Sequence, residues 1–144
     1  MKIRLTSLEQ TYVPNITFTD DKNIKFKNRE LPDDEQVKIV LKLANADQKV
    51  SYQSGYTTFD KKSKMAKVFN PANTGSIVGK HVIEVKGLES FGITTGISLV
   101  ENHKKYDEIS EIVLECYNVI MGAWPVDYDA ESQVVSEEES LPGE

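Results

Sequence analysis

Residues 106–121 read YDEISEIVLECYNVIM, and this stretch decides how the rest of the chain is understood. On a helical wheel Tyr106, Ile109, Ile112, Val113, Cys116, Tyr117, Ile120 and Met121 fall on one side. Three- and four-residue spacing sustained for about four turns predicts an amphipathic helix with its apolar stripe against a core. The opposite side carries Asp107, Glu108, Glu111, Glu115 and Asn118, which suits water. Gly122 follows directly and can take the left-handed conformation that ends a helix, with Pro125 as a second stop. The early carboxylates lie near the positive end of the helix dipole.

Upstream of that helix the pattern shortens. Thr94 or Thr95 is placed to cap a short helix running to Glu101, from which Ile97 and Val100 are expected to pack inward. Residues 75–86, GSIVGKHVIEVK, carry two signals. Val78, Val82, Val85 and Leu88 fit a helix, whereas the β-branched content favours a strand. The helical reading is preferred because Gly87 sits where a C-capping glycine belongs. Asn73 or Thr74 would cap its start.

The first half reads as strands. Residues 35–43, EQVKIVLKL, alternate Val37, Ile39, Leu41 and Leu43 with Gln36, Lys38, Val40 and Lys42. Before them, Ile16, Phe18, Ile24 and Phe26 flank Asp20, Asp21, Lys22 and Asn23, the pattern of a hairpin with its apolar residues on one face. Residues 1–16 read as a short strand or arm, and residues 28–34 as a loop around Pro32. Residues 44–67 are polar, rich in Ser, Thr, Lys and Gly, and without a sustained period. A bare loop of that length is unusual in a compact domain, so a hairpin around Ser54-Gly55 or a functional loop is expected.

The chain has 144 residues, enough for one domain with a real core. No apolar run approaches the roughly 18–20 residues of a membrane span, so no membrane partner is expected. The opening MKIRLTSLEQ has charge and no apolar core region, so no secretory signal is expected. A single cysteine, Cys116, excludes an internal disulfide and suits a reducing compartment. The net charge of −6 is unevenly distributed. Seven of the 23 acids lie between Asp127 and Glu144 with no base among them, which leaves 16 acids against all 17 bases in the body. We therefore expect a single α+β domain over 1–128: an N-terminal antiparallel sheet followed by a helical half packed on it. Residues 129–144, DAESQVVSEEESLPGE, have too little apolar surface to offset their ordering entropy and are expected to form a flexible tail.

No catalytic or metal constellation stands out, and no cofactor is expected. His81 and His103 lack companions at ligand spacing, and neither HExxH nor CxxC occurs. Both histidines read as polar surface or satisfied core groups. Cys116 lies on the apolar stripe and reads as an inert buried thiol. Glu108, Glu111 and Glu115 read as a solvated row. The run from Gly75 to His81 departs from a phosphate loop, with one residue too few between its glycines and His81 where Ser or Thr should hold magnesium. Asp127, Asp129 and Glu131 open like a calcium loop, but Ser132 stands where glycine is needed.

Two binding readings remain open at this point. Lys61, Lys62, Lys64 and Lys67, with Tyr56 and Phe59 nearby, have the look of a single-strand nucleic-acid patch, although the acidic tail would compete for them. The tail itself suits a small inhibitor of a host protein. Against these stand four segments, VKIVLKL (37–43), IEVKGLE (83–89), ITTGISLVEN (93–102) and the helix EISEIVLECYNVI (108–120). Together they resemble the tail assembly chaperones of tailed bacteriophages. The resemblance covers roughly residues 35–121 and carries no catalytic residues. It implies a non-enzymatic protein that acts in particle assembly, as a chaperone or as a tail or connector subunit. Its expected partners are other phage structural or assembly proteins, with self-association a further expected contact and nucleic acid the weaker partner class. Its expected place is the bacterial host cytoplasm, or the virion. The contacts are expected from a sheet edge and from Tyr52, Tyr56 and Phe59, aromatics in a polar stretch with few core partners.

Overall fold

The computed structural model describes residues 7–124 except 57, 61–64 and 68–70, together with residues 2, 3 and 5; for 54–56, 58–60, 65–67 and 71–73 it describes the backbone. The acidic stretch 129–144 therefore lies outside the described residues.

Strand β1 (Glu9–Tyr12) is followed by β2 (Thr17–Thr19), β3 (Lys25–Lys27) and β4 (Lys38–Lys42). Next come helix α1 (Ala46–Tyr56), β5 (Thr58–Asp60), β6 (Met65–Lys67), α2 (Pro71–His81), β7 (Val82–Lys86), α3 (Gly96–Glu101) and α4 (Asp107–Ile120). The main sheet has the order β1-β4-β7 and is antiparallel throughout. Its central strand is the alternating run expected, with Val37, Ile39 and Leu41 buried. The α+β class holds, with one refinement. The third strand, β7, comes from the helical half.

That strand corrects the helix expected over 75–86. The helix runs only to His81, and Val82–Lys86 pairs with β4. Leu41 faces Val82 while its neighbour Val40 faces Glu84, so Ile83 is an extra residue in β7. The bulge puts Val82 and Val85 on the same buried side, three residues apart. A bulged strand therefore presents the i, i+3 spacing of a helix. Gly87 likewise caps no helix. It sits at φ 96° after β7, where a Cβ would come within 3.1 Å of the Val37 Cα and 3.2 Å of the Gln36 carbonyl oxygen. The capping expectation at Asn73 or Thr74 also shifts, because the helix already begins at Pro71 and Thr74 is buried within its first turn.

Residues 44–67 form neither a bare loop nor a hairpin at Ser54-Gly55. They hold α1 and then the antiparallel β5–β6 pair, so a hairpin exists several residues further on. Helix α1 starts on a reciprocal cap. The Asn45 side chain accepts from the Gln48 N–H at 2.8 Å, and the Gln48 side chain accepts from the Asn45 N–H at 3.0 Å. The Ala44 N–H donates to the Ile120 carbonyl, which ties the start of α1 to the end of α4.

Helix α4 spans nearly the residues expected and buries Ile109, Ile112, Val113, Cys116, Val119 and Ile120. Gly122 takes φ 91° just beyond its C-cap. These side chains share a core with Tyr12, Ile39 and Leu41 of the sheet. In α3, Thr95 forms a capping box with Ser98, so one of the two expected caps is used. Leu99 is fully buried and Val100 packs partly buried against the core as expected, whereas Ile97 is 63% exposed and corrects that part of the expectation. Gly96 sets this rotation, since a Cβ there would meet the Val82 and Gly79 carbonyl oxygens at 2.6 and 2.7 Å.

The hairpin expected over 16–26 is present as β2–β3, with Phe18 opposite Phe26. Ile24 departs from the shared apolar face and is exposed. Buried Asn28 fastens this hairpin to the sheet. Its amide donates to the carbonyls of Pro14 and Val37 and accepts from the Val37 N–H at 2.8 Å.

Candidate protein-binding groove

His81, Cys116 and Glu115 are each engaged in holding the fold. His81 is buried, and its Nδ1 lies 2.7 Å from the Lys42 carbonyl, which can only accept. In the neutral ring Nδ1 therefore carries the proton, and Nε2 accepts from the Tyr52 hydroxyl at 2.7 Å. The two rings meet edge to face at 5.5 Å. Tyr52, expected as an interface anchor, is thus half-buried and spans from α1 to the end of α2. Tyr56 ends α1 and Phe59 lies in β5; their side chains lie outside what the structure describes. Of the three expected residues, only Tyr52 has a described side chain.

Cys116 is fully buried, and burial pushes its thiol well above the ordinary range, with the Glu115 carboxylate adding to the effect. That is the inert thiol expected from its position. Glu115 overturns the reading of a solvated row. Its Oε1 accepts from the Tyr12 hydroxyl at 2.6 Å and from the Asn15 N–H at 2.8 Å. Burial, then the Glu115 hydrogen bond, drives the Tyr12 phenol far above its usual value. Arg29 donates to the Tyr12 oxygen and to the Val13 carbonyl. Among the described residues no three His, Cys, Asp or Glu gather as a metal site would require.

A groove of about 150 Å³ opens on the surface. Buried Leu88, Ile93 and Ile109 make its floor; Phe18, Phe91 and Tyr106 wall it, with Thr19 and Glu108 at the margin. Three separated segments supply the walls: β2, the turn after β7, and the start of α4. Phe91 is 58% exposed and Tyr106 43%, and their rings meet at 6.0 Å and 67°. Large aromatics left in water around an apolar floor are unusual on an isolated surface.

Local sequence explains the placement of both rings. Residues 87–92, GLESFG, form a 3-10 turn over Glu89–Phe91 between two glycines with positive φ. The Phe91 and Ile93 N–H groups both donate to the Leu88 carbonyl. The Gly87 N–H donates to the Glu89 carboxylate at 3.1 Å, which holds that carboxyl below its ordinary value. The turn thus projects Phe91 from a closed backbone loop. Tyr106 is the N-cap of α4 with extended backbone, so it leaves the apolar stripe to which its spacing assigned it. The ESF segment between glycines is the one signal in the sequence that marks this groove.

No protein-family model, curated protein or solved structure matches this chain. What the fold and surface define is an α+β domain whose exposed aromatics frame a groove. Among the described residues no helix is long and apolar enough to cross a membrane.

Proposed function

We propose that this chain is a non-enzymatic, protein-binding component of bacteriophage particle assembly, a tail assembly chaperone or a tail or connector subunit. It would act in the host cytoplasm or within the particle. The observation that carries the binding reading is the groove, because Phe91 and Tyr106 stand exposed over an apolar floor. Aromatic anchors bury much area at low entropic cost, which is why they concentrate at interfaces. The engagement of His81, Cys116 and Glu115 in tertiary structure supports a binding role over a catalytic one. The phage setting rests on the resemblance across residues 35–121. The nucleic-acid reading gains no support of its own, since Lys61, Lys62 and Lys64 lie outside the described residues.

The test is co-expression with the products of the neighbouring genes, followed by affinity capture and sizing by light scattering. Wild type should retain a tail structural protein, and the Phe91→Ala/Tyr106→Ala variant should lose it while unfolding at a similar denaturant concentration. Retention by that variant at the wild-type level would sink the groove as the binding surface. Capture of no particle protein by wild type would sink the assembly role.

A further inference from the structure

The groove also carries a statement about its occupant. We infer that it receives an arginine side chain presented by the partner protein, an inference that rests on the protein-binding reading above. The first observation is size. A space of about 150 Å³ suits one long side chain and is too small for a helix face. The second is the wall chemistry. Phe18, Phe91 and Tyr106 line the space, and aromatic faces carry the negative part of a quadrupole that attracts cations.

The third observation is Glu108. It is half-buried at the margin of the groove, and no hydrogen bond or ion pair from a described residue reaches its carboxylate. It stands in the first turn of α4. Asp107 beside it and Glu89 on the turn below Phe91 add negative charge on the same elements. Lys104 and Lys105 precede Tyr106, but both are exposed and neither makes an ion pair with Glu108.

These features discriminate among occupants. A leucine or phenylalanine would suit the floor but would strip water from Glu108 without replacing it. A lysine would meet the charge as a compact, strongly hydrated ion. A guanidinium is weakly hydrated, stacks flat on aromatic rings and donates two parallel hydrogen bonds to a carboxylate. Arginine alone uses the floor through its methylenes, the walls through its plane and Glu108 through its donors.

The experiment uses the full chain and three capped tripeptides, Ala-Arg-Ala, Ala-citrulline-Ala and Ala-norleucine-Ala, followed by NMR. Citrulline keeps the shape of arginine and removes its charge. The arginine probe should shift Phe18, Phe91, Tyr106 and Glu108, and the citrulline and norleucine probes should bind about tenfold more weakly, the worth of a charged hydrogen bond. Glu108→Gln should bring arginine affinity down to near the citrulline level and weaken its salt dependence, with the fold unchanged. Equal binding of arginine and citrulline, no change in Glu108→Gln, or shifts confined to other surfaces would each overturn the inference. Should Phe91→Ala abolish partner capture while citrulline matches arginine, protein binding stands and the arginine assignment falls. Arginine selectivity with no protein captured by wild type overturns the reading beneath it, and with it the claim that a partner supplies the arginine.

Discussion

Removing the Glu115 side chain should destabilise this protein although its position on the helix wheel is polar. Its Oε1 receives the hydroxyl proton of Tyr12, a residue fully buried 103 positions earlier, at 2.6 Å. Glu115→Ala leaves that hydroxyl without its carboxylate acceptor in a place that bulk water does not reach. Hydrogen bonds to charged groups contribute about 1.5–3 kcal/mol, and a stranded buried donor costs a similar amount. Glu115 is only half-buried, so screening should bring the loss to about 1.5–2 kcal/mol. The Asn15 N–H, which shares the same oxygen at 2.8 Å, lies where water can replace the carboxylate and adds little. Glu111→Ala, one turn earlier and exposed, should cost under about 0.5 kcal/mol. Tyr12→Phe removes the donor and should cost about 1 kcal/mol, and the double variant should fall short of the sum by about 1 kcal/mol. Urea denaturation at constant m-value measures all four. Equal losses at Glu111 and Glu115, or strict additivity, would show that the Tyr12–Glu115 bond contributes nothing to stability.

Three further outcomes are expected. Ile112→Ala or Ile120→Ala should cost about 2–5 kcal/mol by chemical denaturation, because both side chains are fully buried and their loss leaves cavities. Tyr52→Phe should cost about 1 kcal/mol by removing the hydroxyl that reaches His81, while leaving partner capture unchanged, since Tyr52 serves the fold. Stability should fall as pH rises above about 9. Cys116 and Tyr12 have ordinary values of 9.0 and 10.0 and are held protonated above them when folded, so unfolding releases their protons in alkali. Urea midpoints from pH 7 to 10.5 would follow this, and Tyr12→Phe should flatten the steeper part of the decline.

How much of this was legible depends on whether one segment or several set the outcome. The long helix and the alternating β4 each carry their period within a single run, and their burial follows it, while the β2–β3 hairpin forms as expected although Ile24 leaves its apolar face. Strand β7 misled because Ile83 is a bulge. Inserting one residue between inward-facing Val82 and Val85 converts a two-residue period into a three-residue one, and only the pairing with Val40 and Leu41 separates the two. Helix α1 was hidden for a different reason. It is polar nearly all round and has no stripe, so its mark was the Asn45/Gln48 cap rather than a period. Glu115 reads as solvated from its own surroundings in sequence because its partner lies 103 residues away, whereas His81 is the satisfied core histidine, one of its two readings.

The groove follows the same logic one level up. Phe18 belongs to a hairpin that pairs it with Phe26, Phe91 to a turn closed by the Leu88 carbonyl, and Tyr106 to a helix cap. Each placement has a local cause, and none refers to the other two. Their convergence depends on β7, which carries the Phe91 turn back beside β4 and toward the start of α4. A helix through residue 86 would have left that turn elsewhere. In this chain the candidate site becomes visible only when the third strand is placed, because that strand positions the turn that presents Phe91.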